Sequence, residues 1–455
     1  MGGLDTTCSV LSLVFNLKYL VMRKFSFLLT LVLQVFGGTL VWGQQRVMSL
    51  DEMFALADSL NSVIKVSNLA VSEAKAGEEV ARNAYLPSIE ASVSASYNGD
   101  GYIMNRDFTN GFGVDIPSFG NNFKFEVNQV IFAGGAIKSA VMMSEIGTEL
   151  ATLDAVRNRN EVRFLIAGDY IELCKLANQK KVLDDNIALA QTVADVMRSR
   201  VDNGAALKTD VTRMELLVKN LEYARIQIDG AEKIVRRELA NALGMSPDAE
   251  IIPADELDEM SVVQLNIVES EVLASSPAVK AADAMVRMSE QQVRMAKSDR
   301  YPKIALFAGE YMDGPVLIEV PTLNNNFNYW AVGVGIRYNI DNLYKSHKSI
   351  NKSKIAASKS REQLNVAKEQ ISLAFNAADT DYRNAFILLD TKTQSVALAQ
   401  ESYELVRYRY EEGLAVITDL LDASNQLLDA QIQEVNARMN IAYNYYRLQY
   451  ISGTI

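Results

Sequence analysis

Reactive side chains are scarce in this chain of 455 residues, which has one histidine and two cysteines. His347 stands in a polar Lys/Ser-rich run without partners at ligand spacing, which reads as a surface histidine rather than a metal or catalytic group. Neither Gly-x-Ser-x-Gly nor His-Glu-x-x-His occurs, and the scattered acids read as solvated faces, so an exported enzyme has no support and no cofactor is implied. Gly333-x-Gly335 falls within an alternating apolar pattern, where it marks close approach rather than a phosphate loop. A basic stripe is lacking too: the net charge of −11 and sequence pI near 4.9 exclude nucleic acid as a partner. With no Ser/Gly/Pro-rich linker, two domains of unlike function are not expected.

Long apolar runs are confined to the start. Met22-Arg23-Lys24, the apolar Phe25 to Leu33 and the small residues Gly37 and Gly38 before Trp42-Gly43 form the three regions of a secretory signal. Residues 1–43 are therefore assigned to a signal peptide that starts at Met22, with Gln44 the first mature residue; an uncleaved anchor using both apolar runs is the alternative. Cys8 lies in this segment, so one thiol, Cys174, is left for the exported chain, too few for an internal disulfide. No cysteine stands at the cleavage site to carry a lipid. No run of about 20 apolar residues follows Gln44, which excludes a membrane-spanning helix in the mature chain.

Proline is missing from 122–246 and from 322 onward, and glycine joins it in absence from Leu343 to Glu412. From Ala136 to Asn203 only Gly147 and Gly168 interrupt. Each stretch accommodates one helix roughly 100 Å long, a rod that needs partners along its length. Leu183, Ile187, Ala190, Ala194, Met197 and Val201 step by four and three, as do Val396, Ala399, Tyr403, Val406 and Tyr410, which favours coiled-coil packing. After turns at Gly204 and Gly413, return helices run to Leu243 and Ile451, closing an antiparallel hairpin in each half. Shorter helices, Ser62 to Ala84 and Pro277 to Asp299, come before Pro87 and Pro302.

The layout is written twice. Arg198-x-Arg200-x-x-x-Gly204-x-x-x-x-Thr209-Asp210 returns 209 residues later as Arg407-x-Arg409-x-x-x-Gly413-x-x-x-x-Thr418-Asp419. Upstream, Ile64-Lys65, Val71, Ala81 and Pro87 recur 215 positions on as Val279-Lys280, Val286, Ala296 and Pro302. A unit this long is a duplicated half-protein rather than a solenoid repeat, here divided as residues 44–250 and 251–455.

Between the short and long helices the apolar period becomes two. Ile89, Ala91, Val93, Ala95 and Tyr97 alternate with polar residues, as do Trp330, Val332, Val334, Ile336, Tyr338 and Ile340 with their neighbours. Phe123 to Asn128 behaves similarly; in Lys303 to Met312 either face could be outward. Ten-residue amphipathic strands can cross a bilayer when tilted, with Tyr97, Trp330 and Tyr338 at headgroup level. A soluble hairpin covered by helices is the competing reading, but the long helices are occupied with each other. The polar loops Asn98 to Asn121 and Asp313 to Phe327 suit the outer surface. Four strands cannot close a barrel, so the chain must assemble: two copies supply eight strands, three supply 12.

Helix, strand pair, long helix, turn and return helix, twice over behind a signal peptide, with Gly-x-x-x-x-Thr-Asp at both turns and Tyr410-Glu411-Glu412-Gly413-Leu414 at the second, resembles the TolC family of outer-membrane efflux proteins. The resemblance runs from about Ser49 to Gly453. It implies an α+β membrane protein: a homotrimer whose strands form one 12-stranded barrel, whose coiled-coil hairpins form a periplasmic tunnel, and whose tips, Gly204, Gly413 and Leu414, meet a periplasmic adaptor protein and an inner-membrane pump. It also implies a gate, with Thr209, Asp210 and Tyr410 latching neighbouring coiled coils and Asp419 and Asp422 in an acidic ring. Two departures stand out: Ala415 occupies the position of a basic latch residue, and no proline precedes either long helix.

The tip acids have a reading of their own. Asp419 and Asp422 share a helix face, and threefold assembly would gather six carboxylates that attract cations. Alternatively, Thr209 and Thr418 cap the return helices while Asp210 and Asp419 complement the helix dipole. Capping does not reach Asp422, whose repeat counterpart is Arg213. The functional expectation is a passive exit duct of a tripartite efflux or type I secretion system in the bacterial outer membrane; a periplasmic coiled-coil adaptor or tether without a pore is the alternative.

Overall fold

The computed structural model describes residues 46–254, 267–319 and 321–455, so the signal-peptide assignment lies outside the described residues. Two long helices dominate, α3 over Ala136–Asp202 and α7 over Asn342–Glu411, of 67 and 70 residues. Each is followed by a return helix, α4 over Lys208–Ala242 and α8 over Ile417–Ser452. The short helices preceding the strands are α2, Ser62–Arg82, and α6, Pro277–Ser298. Two further helices lie outside the sequence expectation, α1 over Leu50–Leu60, with Leu50, Met53 and Ala57 buried on one face, and α5 over Glu269–Ser275. The signal for α1 is its capping box: Ser49 Oγ accepts from the Glu52 amide while Glu52 Oε2 accepts from the Ser49 amide.

Packing follows the stepped apolar rows. Leu183, Ala190, Ala194 and Met197 of α3 are buried with Met214, Leu217 and Leu221 of α4 and with Leu420, Ala423 and Leu427 of α8; Tyr403 of α7 joins them. One buried polar side chain interrupts this seam: Asn186 Nδ2 donates to Gln431 Oε1 at 2.8 Å across α3 and α8. A polar residue at a core position fixes register, because any slip strands its hydrogen bond. Nearer the sheet, α3 is held by other partners, with Ser67 of α2 accepting from Asn158 and Arg287 of α6 donating to Glu149.

Midway along the rods lies a second core. Met53, Ala57, Ile166, Tyr170, Leu239 and Leu243 are buried there, and a short strand β1, Arg46–Met48, pairs in parallel with β6, Ile251–Pro253. Val272, Phe375, Ala378, Tyr382 and Leu448 form the corresponding cluster of the second half. Among the described residues no helix is long and apolar enough to cross a membrane.

The main sheet has four antiparallel strands in the order β2-β5-β7-β8. They span Ser88–Tyr97, Phe119–Phe132, Lys303–Gly314 and Phe327–Arg337. Two of these differ from the sequence expectation. β5 is more than twice the length of the Phe123 to Asn128 pattern, because pairing on both sides sustains it beyond the alternating stretch. β8 stops at Arg337, leaving Tyr338 and Ile340 outside: Arg337 pairs with Lys303, and the residue before Lys303 is Pro302, which has no amide to extend the ladder. The loop at Asn98 to Asn121 is not wholly irregular either, since β3, Gly101–Ile103, and β4, Phe112–Val114, form a small hairpin within it.

Candidate functional site

Both hairpin turns are built alike. Gly204 has φ 75° and Gly413 has φ 75°, a left-handed conformation that glycine adopts without a Cβ penalty. At the first turn Gly204 N donates to the Val201 carbonyl at 2.9 Å and Ala205 N to Arg200 at 2.7 Å. The second repeats this pattern, with Gly413 N on Tyr410 at 3.0 Å and Leu414 N on Arg409 at 2.7 Å. Paired bonds of this kind satisfy the last carbonyls of α3 and α7. Leu414 is left 69% exposed beyond the turn, unpacked by its own chain.

The capping expectation for the threonines is overturned. Leu207 and Val416 are the N-cap residues, which places Thr209 and Thr418 two positions past the cap, too far into the helix for their hydroxyls to reach the free amides. The acids do serve this end: Asp419 Oδ2 accepts from the Val416 amide at 3.4 Å, and Asp210 occupies the equivalent place on α4. Asp422, one turn on, is exposed and accepts from Gln426 Nε2 at 2.8 Å. The exposed face continues through Asp429, which accepts from Gln433, so the polar row on α8 is longer than its two tip acids.

Tyr410 is half-buried against the tip core. Burial raises its phenol above the usual tyrosine range, the neighbouring Asp210 carboxylate adds to the rise, and Arg200 opposes it. The fold therefore brings Tyr410 and Asp210 together across the two hairpins of one chain. Arg200 completes the joint: its Nη2 donates to the Glu411 carbonyl at 2.8 Å, covering an acceptor that the end of α7 leaves open. A cavity of about 90 Å³ between these tips is lined by Val193 and Met197 of α3, Tyr410 of α7 and Leu420 of α8. Arg200 was visible in the sequence only as half of the repeated Arg-x-Arg. Its partner is a backbone carbonyl, which no side-chain pattern reports.

At the opposite end, the register assigns the two sheet faces. Ile89, Val127, Ala308 and Val332 lie abreast, as do Ile304 and Ile336, and Leu306 and Val334. This decides the ambiguous strand: the even residues of β7 share the apolar face. Val332, Val334 and Ile336 are 71%, 61% and 70% exposed in the single chain, with no helix over them among the described residues. Tyr97 ends β2 and Trp330 lies in the fourth position of β8, both exposed on this same side, while Tyr338 has left the sheet.

The other face carries most of the charge, Glu310 beside Trp330 being the exception on the apolar side. Lys124 pairs with Glu126 at 2.7 Å, Tyr311 donates to Glu126 at 2.7 Å, and the Tyr311 and Tyr329 rings stack at 5.1 Å. Gly333 has no Cβ where the Phe307 ring lies, bearing out the close approach expected there. Charged groups on one face and an uncovered apolar band on the other match a sheet with lipid outside and water inside.

Known proteins agree with this layout. A family model described as "Outer membrane efflux protein" matches residues 55–245 and 268–454. The outer membrane efflux protein BepC of Brucella suis is 22% identical over 423 residues, 92% of this chain and 88% of the relative. The outer membrane protein TolC of Vibrio cholerae is 21% identical, over 82% of this chain and 83% of its own. Among solved structures, the outer membrane protein VceC of Vibrio cholerae superposes with a TM-score of 0.73 at 17% identity, over 89% of this chain and 96% of that one, and so shares the fold. From the twofold order of helices and strands, the uncovered apolar sheet face and these matches together, the chain belongs to the outer membrane efflux protein family, passive channels of the outer membrane and periplasm rather than enzymes.

Proposed function

We propose that three copies assemble into a 12-stranded barrel continued by a helical tunnel, and that this trimer is the passive exit duct of a tripartite efflux or type I secretion system. The observation that carries the reading is the four-stranded sheet itself. Its apolar face is exposed, and β2 and β8 each leave one edge unpaired in a single chain. Open edges are not tolerated in lipid, and four strands are too few to curl into a closed barrel, so further copies must supply the missing partners. Three copies give a lumen wide enough for water and solute.

The same geometry supports a reading of tunnel and gate. Both glycine turns lie at the end of the rods away from the sheet, roughly 100 Å from it. Repeats 44–250 and 251–455 in three copies make a pseudo-sixfold tube that narrows where Asp419 and Asp422 project, while Thr209, Asp210 and Tyr410 latch adjacent hairpins. Gly204, Gly413 and the exposed Leu414 offer the surface on which a periplasmic adaptor and an inner-membrane pump act to open it. Energy comes from the pump, and the duct needs no catalytic group.

Planar-bilayer recording on protein extracted from outer membranes tests the duct. Trimers that resist dissociation until heated and that give discrete cation-preferring conductance are expected. A monomer without channels would overturn it.

A further inference from the structure

The chain is acidic overall, yet from Asn342 to Arg361 it contains no acid and six cations, Lys345, Lys348, Lys352, Lys354, Lys359 and Arg361. This run is the start of α7, immediately below the sheet. The start of α3, its partner in the duplication, has Lys138 and then Glu145 and Glu149, so building a tube does not itself require the basic run.

Between this run and the end of α6 lies a cavity of about 210 Å³, lined by Lys297, Arg300, Tyr301, His347, Asn351 and Lys354. The carboxylates of nearby turns are committed elsewhere, Glu290 to Arg361 at 2.7 Å and Asp341 to Lys345 at 2.8 Å. Among the ion pairs of the described residues, Lys297, Arg300 and Lys354 have none, and Asp299 is the acid left in the adjoining turn. Arg300 is oriented instead by a 2.9 Å bond from its Nε to Ser346 Oγ, which leaves its terminal nitrogens available. The volume is below the roughly 300–1,000 Å³ of a drug-sized site but admits a phosphodiester headgroup.

The depth and side of the cavity identify the occupant. Arg300 comes three residues before Lys303, the first residue of β7, so its backbone lies no more than about 10 Å from the periplasmic end of the strands. Tyr301 turns it toward the lipid side: its ring meets Phe132 edge-on at 6.4 Å, and Phe132 pairs with Ile304 on the apolar face. Anions at that depth and on that side are the phosphates of the inner leaflet. We propose that this pocket between α6 and α7 binds the headgroup phosphate of an anionic phospholipid, anchoring the barrel at the periplasmic rim. Lysines and a guanidinium present the donors that a phosphodiester requires, and Tyr301 lies at interfacial height.

The inference rests on the sheet being embedded in lipid. Native mass spectrometry of the full chain released from nanodiscs of mixed phosphatidylglycerol and phosphatidylcholine tests it. The wild type should retain phosphatidylglycerol preferentially, and Lys297→Gln with Lys354→Gln should lower that preference about fivefold per lysine. Both lysines are exposed, so the variant keeps its core, and unchanged channel conductance verifies this. A conducting wild type with no lipid preference, or a variant that keeps it, would overturn the site while leaving the barrel intact; a protein that never conducts would sink the barrel reading first. Displacement of the lipid by inorganic phosphate would reassign the pocket to the free anion and overturn the lipid assignment.

Discussion

Asp422 and Arg213 occupy matched positions in the two repeats and carry opposite charge. Asp419 already has a local duty at the amide of Val416, whereas Asp422 makes only an exposed bond to Gln426 on its own helix. Asp419→Asn with Asp422→Asn should lower cation selectivity and relieve block by multivalent cations in bilayer recordings, and unchanged selectivity would remove this pair as the constriction. The tip glycines are constrained differently. Nothing lies within 4 Å of a Cβ added at Gly204 or Gly413, so Gly→Ala there meets only the left-handed backbone, a destabilisation of about 1–2 kcal/mol seen as faster hydrogen exchange of the turns. Asp169 of α3 is a third case: burial, then Glu238 and Glu172, push its carboxyl up to about 6, and its Oδ2 accepts no hydrogen bond. Because the folded pKa exceeds the unfolded one, the associated stability is present at low pH and is lost as pH rises through about 6. Urea midpoints of wild type and Asp169→Asn should converge near pH 4 and favour the variant above pH 7. Asp169 looked like any surface acid in the sequence, since burial of a rod's flank depends on which rods adjoin it.

For the helices, the stepped rows and the missing prolines were enough to predict both long rods and their return helices. What they could not report is partner choice, because an apolar row is equally satisfied by α4, α7 or α8. Asn186 records that choice through its bond to Gln431 of α8. Asn186→Ala should cost about 1–3 kcal/mol in urea unfolding, since Gln431 loses its partner in a partly buried seam. Strands were legible from alternation where both faces contrast, as at Ile89 to Tyr97. They were misjudged at their ends, where pairing rather than pattern decides, as the loss of Tyr338 and the extension of β5 illustrate. Val334→Arg, on the apolar face, should weaken assembly in lipid by about 2–4 kcal/mol, while Ser92→Arg on the charged face should be tolerated, as judged by the yield of heat-dissociable trimer.

At the scale of the whole molecule, β2 and β8 are separated by two strands, roughly 14 Å, so cysteines introduced one on each cannot bridge within a chain. Scanning pairs such as Val93→Cys with Val332→Cys should yield covalent trimers under oxidation, and exclusively monomeric product at every register would argue against edge-to-edge closure. Net charge also misled at this scale: an overall −11 concealed the basic start of α7, because a sum over 455 residues says nothing of where the cations gather. The duplication, the rods, the greasy strands and the glycine turns are encoded locally, in spacings of two, three and four residues that backbone geometry converts directly into elements. Which residues of β7 share the apolar face, which carbonyl Arg200 covers, and that Lys297 and Lys354 share one pocket were decided only by tertiary structure. Each depends on residues far apart in the chain being brought together, and local periodicity carries no information about that approach.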